Sequence, residues 1–147
     1  MKIHLDNCCF NRPYDDQTQL RIELETKAKL YVQQHIIDKK LELVISSMSK
    51  YEASKNPYEE RKTIIKDFFN FATNVVTSSP SVRVMAKTFS DNGLKTKDAA
   101  HLAFAVEGGC DYFLTTDDRL LKYKDDRISI MNPVEFINIL EVDGDDE

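Results

Sequence analysis

The sequence predicts an α/β fold in which helices cover both faces of a parallel sheet. Short apolar segments, each about as long as a strand, alternate along the chain with longer segments that have helical periodicity. The short segments are apolar on both faces, which is typical of strands buried inside a parallel sheet. The chain has 147 residues, enough for one domain with a substantial core.

Four segments are predicted to be strands. They cover residues 1–6, 41–45, 111–115 and 127–130. The segment 7–16 is rich in turn-forming residues and contains Pro13, so it is predicted to be a loop. Ligands of parallel α/β sheets bind beyond the carboxyl ends of the strands. The residues that directly follow the predicted strands are therefore the first candidates for a functional site.

The segments between the strands are predicted to be helices. They cover residues 17–39, 46–54, 58–76, 81–89, 96–106 and 133–140, with a shorter helical turn at 117–122. Pro133 stands at the first position of the last helix, where proline is favoured. The final segment, EVDGDDE, has five acidic residues and no basic one. We therefore expect one domain over residues 1–140 and a disordered acidic tail over 141–147.

The composition restricts the classes of function. A net charge of −5 argues against binding to nucleic acid through bulk electrostatics, so any such contact must be local. No apolar run is long enough for a transmembrane helix, so no membrane partner is expected. The three cysteines, two of them adjacent, suit neither a disulfide framework nor a CxxC metal site. A reducing, cytoplasmic location is the natural expectation.

Four carboxylates are the main candidates for chemistry: Asp6, Glu52, Asp98 and Asp117. Each lies where the predicted fold places the carboxyl end of a strand or the following helix, so all four would meet at one rim of the sheet. Carboxylates that lie close together repel one another and raise their pKa values. Mg²⁺ or Mn²⁺ would relieve this repulsion, because hard cations prefer carboxylate oxygens and water. Such a site is a route to phosphodiester hydrolysis.

Each acid also has a purely structural explanation. Asp6 is placed to form an Asx-turn, and Asp117 to cap a helix after a strand. Glu52 follows Ser49 at the spacing of a capping box. Asp98 lies in the first turn of a helix, where the macrodipole favours negative charge. Taken singly, both explanations stay open for each acid, whereas their shared position at one rim favours a common site.

Other chemistries find less support. The chain has no glycine-rich phosphate loop and no G-x-S-x-G motif. A zinc site is not supported, because the three histidines share no ligand spacing. His101 lies three residues after Asp98 on the same helix face, and it is expected to pack or to support the site. A phosphatase with Asp6 as nucleophile is disfavoured, since Cys8 stands where a second aspartate is needed.

With their local strings, the four acids resemble the PIN-domain family of nucleases. The matching strings are MKIHLD with Asp6, the helical Glu52 after the second strand, KDAAHLAFA with Asp98, and YFLTTDDRLL with Asp117. The string IMNPVEFI also resembles the end of such domains. The resemblance covers residues 1–140, and the strings around Asp98 and Asp117 are its most specific parts.

The resemblance implies a three-layer α/β/α sandwich with a central parallel sheet of about four to five strands. It also implies a Mg²⁺- or Mn²⁺-dependent endoribonuclease that hydrolyses phosphodiester bonds of single-stranded RNA. Asp6, Asp98 and Asp117 would bind the metal. Glu52 would be a further ligand or a supporting acid, and Asp118 is an additional candidate. Many small members are VapC-type toxins that an antitoxin protein neutralises, and many form homodimers, so both partners are expected.

The chain departs from the family pattern directly after the first acid, where Asn7 replaces the hydroxyl residue of many members. Asn7, Arg12 and Arg119 are expected to contact the RNA substrate, and Lys95 and Lys97 are further candidates to guide its backbone. An alternative from another class stays open: a PIN-fold module that binds a protein partner with weak or no catalysis.

Overall fold

The computed structural model describes residues 1–145. The strands in this range are β1 Lys2–Leu5, β2 Glu42–Ser46, β3 Ala72–Val76, β4 Tyr112–Leu114 and β5 Ser129–Met131. They form one sheet in the order β3-β2-β1-β4-β5, and every neighbouring pair is parallel. The predicted parallel sheet is confirmed, with five strands.

Helices cover both faces of this sheet. They are α1 Asn7–Asn11, α2 Leu20–Ile37, α3 Ser47–Ser54, α4 Glu59–Phe68, α5 Pro80–Asp91, α6 Thr96–Glu107, α7 Asp118–Leu121 and α8 Pro133–Asp145. The apolar residues of α2, α3, α4 and α8 pack on one face, and those of α5, α6 and α7 pack on the other. The expected three-layer α/β/α sandwich is therefore confirmed. No helix of the described range is long and apolar enough to cross a membrane.

The inner strands β1, β2 and β4 are largely buried on both faces, and β2 and β4 each contribute to two cores. In β2, Leu43 and Ile45 belong to one core and Val44 belongs to the other. Phe136 of α8 is fully buried in the first core, and Phe113 of β4 is fully buried in the second. Burial of each such side chain stabilises the fold by about 1.5–3 kcal/mol. The sheet is thus held firmly enough to fix the ends of its strands.

The strand order contains a switch point between β1 and β4. After β1 the chain proceeds to β2 on one side, and after β4 it proceeds to β5 on the other side. The two connections therefore diverge, and a crevice opens between them at the carboxyl ends of the strands. This is where ligands bind in open parallel α/β sheets.

The predicted helix over 58–76 is wrong in its second half. α4 ends at Phe68, a 3₁₀ turn covers Phe69–Phe71, and β3 follows as an edge strand paired with β2. β-Branched residues such as Thr73 and Val75 favour extended backbone. Most of β3 is exposed on the sheet edge, so its sequence lacks the continuous apolar character of the inner strands. The pairing with β2 decides its conformation.

The predicted loop over 7–16 contains a short helix instead. Asp6 is the N-cap of α1, and its carboxylate accepts a hydrogen bond from the backbone N–H of Asn7 at 2.9 Å. A 3₁₀ turn over Arg12–Tyr14 follows, with Pro13 in its first turn. The turn-forming residues predict a loop, whereas the cap that Asp6 provides allows a helix to begin at Asn7.

The last helix is longer than predicted. α8 continues to Asp145, past the expected end at residue 140, so residues 141–145 are helical where a disordered acidic tail is predicted. The hydroxyl group of Tyr31 in α2 donates a hydrogen bond to the carboxylate of Glu141, which ties this part of α8 to the domain. Residues 146–147 of the predicted tail lie outside the described residues.

Candidate functional site at the switch point

Two of the four acids lie on either side of the crevice between β1 and β4. Asp6 directly follows β1 and is buried, and Asp117 follows β4 after two buried threonines. The pairing of β1 with β4, in which Leu5 stands opposite Leu114, brings both segments to the same edge of the sheet. The predicted meeting of these two acids at one rim therefore has its physical cause in the strand order.

Thr115 joins the two acids. Its buried hydroxyl group donates a hydrogen bond to Oδ2 of Asp6 at 2.8 Å and accepts one from the backbone N–H of Asp117 at 3.1 Å. These bonds fix the Asp6 carboxylate and the chain at the end of β4. The sequence analysis did not identify Thr115 as part of the site. The available signal was the pair of hydroxyl residues between an apolar strand and Asp117.

Asp117 caps a helix with only one of its two carboxylate oxygens. It is the N-cap of α7, and its Oδ1 accepts a hydrogen bond from the backbone N–H of Arg119 at 2.8 Å. The structural explanation proposed for this residue is therefore realised. The other carboxylate oxygen is not used by the cap and remains available to a ligand.

Asp98 lies in the first turn of α6, where the charges of Asp6 and Asp117 act on it. Burial raises the pKa of its carboxyl group, and the negative charges of Asp6 and Asp117 raise the pKa further. The macrodipole explanation accounts for an acid at this position of a helix. It does not account for the repulsion from two other acids, which places Asp98 in a common electrostatic environment with them.

Glu52 is not part of a capping box. The box at the start of α3 is formed by Ser46 and Ser49, whose side chains bond to each other's backbone N–H groups. Oε1 of Glu52 instead lies 3.2 Å from Nζ of Lys97 and 3.0 Å from Nε2 of His101. Burial acts to raise the pKa of Glu52, but His101 and Lys97 more than offset it, so the pKa is lowered. Glu52 is therefore held in its ionised form.

Two buried histidines lie behind the acids. The ring of His4 stacks on Phe113, and its Nδ1 lies 3.0 Å from the carbonyl oxygen of Val44. Burial, together with the charge of His101, lowers the pKa of His4 to about 4, so His4 is neutral near pH 7. Burial also acts to lower the pKa of His101, but the carboxylate of Glu52 and the other acids raise it above its ordinary value. His101 is thus a buried partner of Glu52, and protonation of its ring is favoured by that contact.

The acids suit a hard divalent cation by their chemistry. All are carboxylates, and the pKa of Asp98 is raised by burial and then by repulsion from Asp6 and Asp117, a repulsion that a cation would relieve. Among the side chains that the structure describes, no three His, Cys, Asp or Glu residues form a group arranged to hold a metal ion. The metal ligands Asp6, Asp98 and Asp117 therefore stay a prediction that rests on donor chemistry and charge.

Of the residues predicted to contact the substrate, Arg12 is held in ion pairs and Arg119 is exposed to solvent. Nη2 of Arg12 lies 2.9 Å from Glu25, and its Nη1 lies 3.0 Å from Asp15, so a contact with phosphate would require these ion pairs to open. Asn7 begins α1 beside the first acid, and Arg119 is exposed in α7 beside the last one. Their contacts with RNA stay predictions.

A buried ion-pair network holds the two segments that flank the crevice. Glu25 of α2 is fully buried, and its carboxylate accepts hydrogen bonds from Arg12 and Arg21. Arg21 also donates to the backbone carbonyl of Thr116 at 2.9 Å and to Asp118 at 2.9 Å. Asp118, the additional candidate acid, is thus ion-paired. The sequence analysis missed Glu25, because an acid in an amphipathic helix normally faces solvent.

The fold is similar to those of solved structures of other proteins. One of these is the structure of VapBC2 from Rickettsia felis, bound to a DNA fragment from the VapBC2 promoter. A chain of that structure matches with a TM-score of 0.58 and 14% identity, and the match covers 90% of this chain and 98% of that one. A chain of FitAcB from Neisseria gonorrhoeae matches with a TM-score of 0.56, 11% identity, and coverage of 89% and 97%. At these identities the likeness shows the fold alone, and it agrees with the expected PIN-like sandwich. No protein-family model and no curated protein sequence matches the chain.

Proposed function

We propose that the protein is an endoribonuclease that depends on Mg²⁺ or Mn²⁺ and hydrolyses phosphodiester bonds of single-stranded RNA. The observation that best supports this is the position of Asp98 in the first turn of α6: burial, and then the charges of Asp6 and Asp117, which follow different strands, raise the pKa of its carboxyl group. Acids that only cap helices have no reason to be grouped in this way. The group also lies at the switch point of the sheet, where a substrate would bind.

Asp6, Asp98 and Asp117 would hold the cation, and Glu52 would be a further ligand or a supporting acid. A bound Mg²⁺ or Mn²⁺ lowers the pKa of a coordinated water molecule and stabilises negative charge on phosphate oxygens. Attack of water on phosphorus, in line with the bond to the 3′ oxygen, would leave a 5′-phosphate and a 3′-hydroxyl group. The proton of that water would pass to a carboxylate, and the leaving oxygen would take a proton from solvent.

The remaining residues of the site would hold Asp6 in place and keep Glu52 charged. Thr115 orients the Asp6 carboxylate through its 2.8 Å hydrogen bond. His101 and Lys97 lower the pKa of Glu52, so Glu52 stays ionised at neutral pH. Preorganised charge of this kind reduces the reorganisation needed in the transition state.

The proposal extends to partners. VapBC2 is among the structures with a similar fold, and the sequence resembles VapC-type toxins. Both support a toxin role in a type II toxin–antitoxin pair, with an antitoxin protein as partner and a homodimer as the assembly. If so, expression of the chain alone should arrest growth, and expression of Asp98→Asn should not. Coexpression of a small DNA-binding protein encoded immediately upstream should relieve the arrest.

Cleavage of single-stranded RNA by the purified protein tests the catalytic proposal. The wild type is expected to cleave with Mg²⁺ or Mn²⁺ and not with EDTA, and Asp98→Asn is expected to be inactive. Asp126→Asn is the matched control, because Asp126 is exposed and precedes β5 at the opposite edge of the sheet. Robust activity of Asp98→Asn would show that the site is wrongly assigned. No cleavage by the wild type on varied RNAs would favour the alternative of a PIN-fold interaction module.

A further inference from the structure

A cleft of about 330 Å³ opens beside Glu52. It lies between α1 on one side and the end of α3 and start of α4 on the other. Its lining includes Asn7, Tyr51, Lys55, Tyr58, Arg61 and Lys97. We call it the tyrosine cleft. Of this lining, the chemistry assigned to the four acids uses Glu52 and its ion-pair partner Lys97, and Asn7 is a predicted substrate contact.

Two tyrosine rings face solvent in the tyrosine cleft. Tyr51 is 61% exposed and Tyr58 is 56% exposed, so neither ring contributes much to a core. A cation lies over each ring instead, and the guanidinium group of Arg61 also lies over the ring of Tyr14. Nζ of Lys55 is 5.1 Å from the centre of the Tyr51 ring, and the guanidinium carbon of Arg61 is 3.9 Å from the centre of the Tyr58 ring. Exposed aromatic faces beside cations are the surfaces on which unpaired nucleobases stack.

The tyrosine cleft is locally basic although the whole chain has a net charge of −5. Among the side chains that the structure describes, no ion pair involves Lys55 or Arg61, whereas the neighbouring Lys62 is paired with Glu59. A cation without a carboxylate partner keeps its charge available to a phosphate group. The local positive charge that contact with nucleic acid requires is therefore present beside Glu52.

The wall of the tyrosine cleft is already in place before any ligand binds. The side-chain amide of Asn56 donates a hydrogen bond to Asn11 of α1 at 3.4 Å, and its carbonyl oxygen accepts one from the backbone N–H of Tyr58 at 3.0 Å. The first of these bonds connects the two sides of the cleft, and the second fixes the backbone at Tyr58. Binding of a ligand would thus require little loss of conformational entropy in the wall of the cleft.

We propose that the tyrosine cleft binds an unpaired segment of RNA. Nucleobases stack on Tyr51 and Tyr58, and backbone phosphates pair with Lys55 and Arg61. Because Glu52 forms the inner edge of the cleft, a strand bound there continues towards the acids, and in this respect the inference rests on the proposed function. Duplex RNA does not fit this role, because its bases are stacked within the helix and unavailable to side chains.

Binding measured without metal tests this inference separately from catalysis. The probe is a fluorescein-labelled single-stranded RNA of about 12 nucleotides and mixed sequence, and fluorescence anisotropy in EDTA gives the dissociation constant. Tyr51→Leu and Tyr58→Leu are each expected to weaken binding by about 5- to 150-fold, the loss of one stacked base. Tyr51→Phe and Tyr58→Phe keep the rings and should bind like the wild type. The wild type should bind a duplex of the same sequence more weakly.

The controls separate the cleft from general effects of mutation. Tyr31→Leu removes an exposed tyrosine of α2 that pairs with α8 and is not part of the cleft, and it should leave binding unchanged. Arg61→Lys should keep most of the affinity, and Arg61→Gln should lose it. With two or three phosphate contacts, the logarithm of the affinity should fall against the logarithm of salt concentration with a slope of about −1.4 to −2. Circular dichroism establishes that each variant is folded.

Two results would overturn the inference: unchanged binding by the double variant Tyr51→Leu/Tyr58→Leu, or equal affinity for single-stranded and duplex RNA. Its failure can be told apart from failure of the nuclease proposal. Cleavage that requires Asp98, with binding that ignores both tyrosines, would leave the nuclease and remove the cleft. Tyrosine-dependent binding without any cleavage in Mg²⁺ or Mn²⁺ would leave the cleft and remove the nuclease.

Discussion

Replacing Glu25 by glutamine should destabilise the protein and loosen both segments beside the acids. Glu25 is 1% exposed, and its carboxylate accepts hydrogen bonds from Nε of Arg12 at 2.9 Å and from Nε of Arg21 at 3.2 Å. The side-chain amide of Asn132, just before α8, donates to the same carboxylate. One side chain therefore connects the segment after α1, the helix α2 and the start of α8.

The size of the expected loss in the free energy of unfolding depends on how exposed Arg12 and Arg21 are. Removing one member of a buried ion pair costs about 3–5 kcal/mol when the remaining charge stays buried. The side chains of Arg12 and Arg21 are 20% and 50% exposed, so water can reach both guanidinium groups after the change. Glutamine also keeps one acceptor oxygen. We therefore expect a loss of about 2 kcal/mol in the free energy of unfolding. For a chain of this size that is a decrease in Tm of about 6 °C.

Thermal unfolding followed by circular dichroism measures this loss, with Glu23→Gln as the matched control. Glu23 lies on the same helix and forms an i,i+4 ion pair with Lys27 at 2.9 Å, but its side chain is 43% exposed. Such a pair contributes about 0.5 kcal/mol or less. RNA cleavage well below the Tm is a second readout. It should fall in Glu25→Gln only, because Arg21 anchors the backbone of Thr116 next to the acids.

The reasoning is refuted if Glu25→Gln and Glu23→Gln unfold within about 1 °C of each other, since that gap is well under 1 kcal/mol. A large loss of stability with full activity would refute only the second part. In that case the network would stabilise the fold without positioning the segments beside Asp6 and Asp117.

Three further predictions concern the acids. Thr115→Val keeps the volume but leaves Asp6 and the backbone N–H of Asp117 without a partner, so urea denaturation should show a loss of about 1–3 kcal/mol, which Thr115→Ser should largely restore. The folded-state pKa of Asp98 is raised, so ionised Asp98 destabilises the fold above that pKa. Asp98→Asn should therefore have a higher Tm than the wild type in EDTA at neutral pH, and the difference should vanish as pH falls below roughly 4. Mg²⁺ or Mn²⁺ at about 100 times its dissociation constant should stabilise the wild type by about 2.7 kcal/mol and should not stabilise Asp98→Asn.

Each of these predictions has a contrary outcome. Unchanged stability of Thr115→Val would mean that its hydroxyl group does not hold Asp6. A lower Tm for Asp98→Asn at neutral pH without metal would contradict the proposed repulsion among the acids. Equal stabilisation of the wild type and Asp98→Asn by Mg²⁺ would place the cation elsewhere on the molecule.

The sheet was predictable from sequence where its strands are buried and was missed where a strand is exposed. β1, β2, β4 and β5 have apolar residues that pack into one or both cores, and each was predicted within a few residues of its observed bounds. β3 is an edge strand that continues a helical pattern, and the sequence placed it inside a helix. Its extended backbone depends on hydrogen bonds to β2, a partner that local periodicity cannot show.

In the candidate site, too, the residues with a local sequence signal were predictable and those that depend on distant contacts were not. Asp6, Glu52 and Asp117 could be identified because each follows a strand or lies in a helix that follows one, and Asp98 because it lies in the first turn of a helix. These are local properties. The spacing of Ser49 and Glu52 allows a capping box, but Ser46 and Ser49 form the box and leave Glu52 to contact His101 and Lys97. Thr115 and Glu25 were missed because their importance depends on groups that are distant along the chain.

By itself, the sequence determined the α/β class, the order of most elements and the identity of the acids, because these depend on hydrophobic periodicity and on residues next to strand ends. Only the tertiary structure decided which acids share an environment, which are ion-paired and where the chain is locally basic. The hydroxyl of Thr115 and the carboxylate of Asp6 are 109 residues apart in sequence and 2.8 Å apart in space. The order of strands in the sheet creates that contact, and strand order is set by the packing of the whole chain.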